Sequence, residues 1–296
     1  IGALCTATGA FAQWVTSAVT APGVQYRTFE SAAANHTVSF HIWLPPEYDT
    51  QPDRTFPLLV WLHGSGDGTL GIPWLSSYFG TAMAHGAIPP MIVLFPNGMT
   101  YSMWCDSKDG TVPMERVVID DLLPFVDANY RTIGGRHRIL EGFSMGGQGT
   151  GRLGFQRTDL FAGVSMLGAG PIQDDFMQAP LGSDIPPAKR AAIYQSVWGS
   201  DPAYYTAQHP KTVVTQQAAA VIGRRTVVRQ ALGSLDAPAL RLGDSDEAQI
   251  GDDMVFGGGG GVRRSLAARV VARQQFAGYW EYLVEQAIFT APSHPN

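Results

Sequence analysis

The residues Gly142-Phe143-Ser144-Met145-Gly146, followed by Gly147, carry the strongest chemical signal in the chain. A serine flanked by glycines at two-residue spacing suits a tight strand-to-helix turn with strained backbone angles. The glycines let neighbouring backbone approach without a clash. Ile139-Leu140 read as strand before the turn, and residues 148–153 can start a helix after it. The N-terminus of such a helix adds positive potential where an oxyanion would form. The chemistry expected is attack by the Ser144 hydroxyl on a carbonyl carbon. The plain alternative is a glycine-rich structural turn.

A second motif, His63-Gly64-Ser65-Gly66-Asp67-Gly68, follows the buried run 58–62 directly. Backbone N–H groups of Ser65 and Met145 are the expected pair that would hold the negative oxygen of a tetrahedral intermediate. Losing one such donor typically costs roughly 100- to 1000-fold in rate. His63 is expected to anchor this loop rather than act as a base; a flexible glycine loop is the alternative.

These side chains need a scaffold. Residues 39–44 alternate as a half-buried strand should, with Phe40, Ile42 and Leu44 on one face. Residues 57–62 and 91–95 are continuous apolar runs, as in strands buried on both faces. Residues 138–142, 161–167 and 226–232 add three more strands. A helix is expected over 115–130, bent at Pro124, and a last amphipathic helix over 276–289. Strands alternating with helices predict an α/β fold with a mostly parallel sheet covered on both faces. No internal repeat is visible. Five glycines at 257–261 predict a mobile loop.

Residues 102–170 resemble the bacterial esterase D / feruloyl-esterase-like family of α/β-hydrolases. The resemblance rests on Met103-Trp104-Cys105-Asp106-Ser107-Lys108-Asp109-Gly110, Asp121-Leu122-Leu123-Pro124, Tyr130-Arg131-Thr132 and Glu141-Gly142-Phe143-Ser144-Met145-Gly146-Gly147, in that order. With the His63-Gly64 segment it covers roughly two thirds of the chain. It implies the α/β-hydrolase fold and hydrolysis of carboxylic esters, commonly acyl groups on carbohydrate or small alcohols, without cofactor or metal. Relatives of that kind include feruloyl and acetyl xylan esterases, thioester hydrolases and secreted acyltransferases.

In α/β-hydrolases the serine is followed in the chain by an acid and then a histidine. Asp236, beyond the 226–232 strand and a short glycine turn, is similar to the family's acid position; Asp246 is a rival. The resemblance implies a histidine in a glycine-rich turn before the last helix, but residues 270–275 contain none. After Asp236 the only histidine is His294; His36, His41, His63, His85, His137 and His209 all precede it. Three explanations stay open. His294 folds back to Ser144, the stretch 240–271 is an altered or misread sequence, or the base is missing. Without an imidazole the hydroxyl stays protonated and a poor nucleophile. The alternative function is then a catalytically impaired acyl- or carbohydrate-binding protein on a hydrolase scaffold.

Trp74, Tyr101, Met103, Trp104 and Trp198 fall where loops following strands would build the wall of an active site. Trp104 is the favoured pocket residue, because the resemblance places its segment near the cleft.

The bulk composition narrows the rest. The chain has 296 residues, of which 45% are hydrophobic and 15% charged, with net charge -5. It lacks a basic stripe, so nucleic-acid binding has no electrostatic support. No run reaches the roughly 18 apolar residues of a membrane span, and a soluble protein is expected. Cys5 and Cys105 read as unpaired thiols, neither a disulfide framework nor a zinc site. Residues 1–12 are small and apolar and resemble the remnant of an export signal, which predicts a secreted or periplasmic protein. Residues 13–296 are expected to form one domain whose partner is a small-molecule or carbohydrate-linked ester. Oligomeric state is not fixed by the sequence.

Overall fold

The segment Leu-Leu-Val-Trp-Leu at residues 58–62 has no polar face to turn toward water, so it folds only where a sheet is covered on both sides. In the computed structural model, which describes residues 13–170, 173–178 and 185–231, it lies at the centre of a seven-stranded sheet. The strands are β1 (Val24–Ser31), β2 (His36–Trp43), β3 (Leu58–Leu62), β4 (Ile92–Pro96), β5 (Arg138–Phe143), β6 (Gly163–Leu167) and β7 (Val227–Ala231). Their order across the sheet is β1-β2-β4-β3-β5-β6-β7. β1 pairs antiparallel with β2 and β2 with β4, and every later pairing is parallel. This is the α/β-hydrolase arrangement expected from the sequence.

Alternation along the strands sends side chains to two cores. Leu58, Val60 and Leu62 face one, with Phe40, Leu94 and Leu140; Leu59 and Trp61 face the other, with Val93, Phe95 and Ile139. The chain leaves β3 for β4 on one side and later places β5 on the other side of β3. Loops leaving the carboxyl ends of strands at such a reversal diverge and open a crevice. The turn after β3 and the turn after β5 meet there.

The helix expected over 115–130 is present as Met114–Arg116, a π-helical stretch Val117–Leu122, and Leu123–Asn129. Pro124 lacks an N–H, so a regular ladder would lose one bond. The widened turn ahead of it shifts the pairing to donors that exist. The helix Ile72–Ala84 and, among the described residues, the four helices between β6 and β7 have no counterpart in the sequence expectations. No helix among the described residues is long and apolar enough to cross a membrane. Cys5, Asp236, Asp246, His294, the 257–261 glycines and the helix expected over 276–289 lie outside the described residues.

Candidate active site

Ser144 sits where the chain turns from β5 into the helix Met145–Gln156, with φ 55° and ψ -118°. A non-glycine residue in that region is strained and persists only when its surroundings hold it there. Three backbone bonds do so. Ser144 N–H donates to the Leu167 carbonyl at 2.9 Å, while the Ser144 carbonyl accepts from Gln148 and Gly170 at 3.0 and 3.1 Å. The glycines at either side are sterically required. A Cβ on Gly146 would lie 1.9 Å from the Leu62 carbonyl oxygen, and one on Gly142 would lie 2.4 Å from the Gly146 oxygen. One on Gly147 would come within 2.9 Å of Ala169 Cα. The half-buried Ser144 side chain is thus presented at a bend whose neighbours are packed backbone to backbone.

The turn after β3 lies against this bend. A Cβ on Gly64 would be 3.3 Å from Ser144 Cβ and 3.4 Å from the Phe143 ring, which is itself 54% exposed. The N–H groups of Ser65 and Met145 have no acceptor among the described residues. Met145 is the first residue of a 12-residue helix, so its N–H is one of the orphan donors that give a helix start its positive potential. A carbonyl polarised by such donors is open to attack by an adjacent hydroxyl.

His63 anchors the turn. Its Nε2 accepts from Gly98 N–H at 3.0 Å, which leaves the proton on Nδ1, and Nδ1 donates to the Gly64 carbonyl at 2.7 Å. Both ring nitrogens are engaged by backbone. Burial is the main cause that lowers its pKa from the ordinary 6.5, so the ring is neutral. A base must have a nitrogen free for the serine proton, and His63 has none.

Trp104 departs from expectation. The sequence pointed to a pocket wall, whereas the indole is fully buried beneath the site. Its Nε1 donates to the His63 carbonyl at 3.1 Å, and its ring fills the space beside Gly98 and Gly149. Met103 and Trp104 both have positive φ, held by the Ser102 hydroxyl, which accepts from Trp104 N–H at 3.1 Å. The wholly buried Arg152 guanidinium donates to the Trp104 carbonyl and pairs with Glu115 at 2.6 Å. Arg152 therefore ties the serine helix to this loop. Nothing singled it out in the sequence except a lone charge within a glycine-rich helix.

The other aromatic expectations divide. Tyr101 lines an apolar cavity of about 600 Å³ with Met99, Cys105, Val112, Ile193 and Val197, and Lys189 Nζ stands 4.6 Å over its ring. Met103 is buried. Trp74 and Trp198 are not in loops: Trp74 projects from the Ile72–Ala84 helix at 64% exposure, and Trp198 ends the Pro187–Trp198 helix inside an aromatic cluster. Cys105 is a buried free thiol whose pKa burial pushes up to about 11, so it is not a nucleophile.

Glu141, three residues before the serine, accepts from the Ser165 hydroxyl at 2.8 Å and faces the Arg229 guanidinium at 3.6 Å. The three residues lie side by side on β5, β6 and β7. Burial raises the Glu141 pKa well above the ordinary carboxylate value, opposed by Arg229 and Ser165. This cluster joins β5, β6 and β7 across the sheet.

No described histidine bonds to Ser144, and no group of described residues has the makeup of a metal site. The proposed acid and base lie outside the described residues.

The model of the family described as Putative esterase matches residues 31–238. The Endo-1,4-beta-xylanase/feruloyl esterase of Xylanibacter ruminicola is 28% identical over 171 residues, 53% of this chain and 23% of that relative. The chain thus spans less than a quarter of that relative's length. Among solved structures, a ferulic acid esterase superposes with TM-score 0.55 at 22% identity, covering 70% of this chain and 78% of its own. An S-formylglutathione hydrolase from Agrobacterium tumefaciens gives 0.55 at 16% identity, with 72% and 78% covered. Both share the fold.

Proposed function

This chain belongs to the Putative esterase family, and from that premise we propose that it hydrolyses esters through an acyl-enzyme formed on Ser144. The hydroxyl attacks the ester carbonyl, its proton passes to an imidazole, and the developing oxyanion is held by the N–H groups of Ser65 and Met145. The alcohol leaves with that proton, and water then releases the acid. The observation that carries the reading is the strained Ser144 bend lying against a turn whose amide is unengaged. Asp236, with Asp246 as the rival, is the proposed acid, and His294 is the proposed base on chain order. The apolar cavity beside Tyr101 is proposed to take the acyl group, and the alcohol side to be carbohydrate or a small alcohol, as the family resemblance implies. Export is proposed on residues 1–12 alone.

Turnover of a chromogenic short-chain ester tests the reading. Ser144→Ala should abolish acyl-enzyme turnover, and His294→Ala should lower it by about three orders of magnitude or more. An unchanged rate in the first variant rejects the nucleophile, and in the second rejects the base. A wild type that neither turns over ester nor labels with a fluorophosphonate supports the impaired binding protein instead.

A further inference from the structure

A second cavity, of about 580 Å³, lies between the N-terminal segment and the turn after β3. It is built on the ends of β2 and β4, on the opposite side of β3 from β5 and Ser144. Its size is that of small-molecule sites, and its lining is chemically specific. Asp67, exposed in the turn after β3, accepts through Oδ1 from Thr69 N–H at 2.9 Å and from its hydroxyl at 2.7 Å. That leaves Oδ2 as an acceptor without a partner among the described residues. His41, 2% exposed, accepts from Val19 N–H at 3.0 Å through Nε2. In the neutral ring, which burial favours, the proton is on Nδ1. That N–H has no partner among the described residues. Ser17 and Thr100 add hydroxyls at the rim.

The lining has no lysine or arginine, so nothing offsets the charge of a phosphate or carboxylate ligand. One carboxylate without further anionic ligands is a poor cation site. What fits is a neutral molecule that gives several hydroxyl donors to a carboxylate and offers oxygens to an imidazole N–H. We infer that this cavity binds a sugar or polyol unit, held by Asp67 Oδ2 and His41 Nδ1. The inference does not rest on the ester chemistry at Ser144.

The test uses full-length Ser144→Ala protein, which cannot consume an ester, titrated with glucose, xylose and arabinose by saturation-transfer NMR. Binding of at least one sugar below about 50 mM is expected, weakened at least about tenfold by Asp67→Asn. That variant keeps the oxygen that Thr69 uses, so the turn is preserved. His41→Phe serves as the second variant. In the Ser144 background, the Asp67→Asn change is also read through KM. A raised KM for an acetylated methyl glycoside would show that the sugar is part of the substrate. An unchanged KM with lost sugar binding would show a free sugar as the ligand. No sugar bound by Ser144→Ala protein, or binding undiminished by both cavity changes, overturns the inference. Failure of Ser144 to label with a fluorophosphonate bears on the esterase reading alone.

Discussion

Two glycine-rich turns face one another at the carboxyl edge of the sheet, and their glycines exist for different reasons. In the Gly142–Gly147 turn the cause is contact, because added Cβ atoms would enter the backbone of β3 and of the serine helix. In the turn after β3 contact also governs Gly68, where a Cβ would lie 2.2 Å from the His63 ring, but the cause at Gly66 is dihedral. Its φ is 106°, yet a Cβ there would meet nothing within 4 Å. One turn is rigid because it is squeezed. The other keeps its shape through hydrogen bonds from its own anchors: His63 on Gly98, and Gly66 N–H on the Thr100 carbonyl at 3.0 Å. Two six-residue turns with three glycines each thus yield a packed bend that carries a nucleophile and a bonded loop that carries an amide donor.

Substitutions can break this contrast in a definite order. Gly146→Ala should be the most damaging, since backbone atoms of β3 cannot yield to a Cβ at 1.9 Å. A loss of about 3 kcal/mol or more in urea unfolding, or no folded protein, is expected. His63→Phe leaves the Gly98 N–H and the Gly64 carbonyl without their partner. A cost of about 2–4 kcal/mol is expected by the same measurement. Gly66→Ala should cost only about 1–2 kcal/mol, from the positive φ. Its mark should be a fall in kcat greater than the change in KM, as the Ser65 donor shifts. If Gly146→Ala proves milder than Gly66→Ala, the distinction between contact and dihedral fails.

His63 also sharpens the contrast through pH. An unfolded histidine takes up a proton near 6.5, while the buried ring does so only at lower pH. The unfolded state therefore binds more protons in that window. Stability should hold above about pH 6.5 and fall as pH drops toward the depressed folded value. A Tm series from pH 8 to 5 should show this slope, and His63→Phe should flatten it, with His41 supplying the remainder in the same direction.

Much of the scaffold was legible because its cause is local. β3, β4 and β6 are short apolar runs, and the serine turn declares itself in its glycine spacing. What escaped the sequence depends on distant partners. β1 and its hairpin turn are held by Asp121, whose Oδ2 accepts from the Ser31 hydroxyl at 2.5 Å and Ala33 N–H at 2.9 Å. No local pattern at residues 24–36 announces that bond. Similarly, Asp106 and Asp109, within the segment that carried the family resemblance, serve as scaffold. Asp106 caps the helix start through Glu115 N–H at 2.8 Å, and Asp109 closes its own loop through Ser107 and Thr111. Trp104 misled for the same reason. A large aromatic in a loop has the same appearance in sequence whether it faces a ligand or supports a carbonyl from beneath. Asp236 rests on its place after the 226–232 strand and on the family resemblance, and His294 on chain order.

Trapping of the covalent intermediate tests the central claim most directly. Protein quenched in acid during turnover of an activated ester, digested and weighed, should carry the acyl mass on the peptide containing Ser144, and Ser144→Ala protein should carry none. An acyl group found on another residue, or turnover that persists without Ser144, would contradict the account.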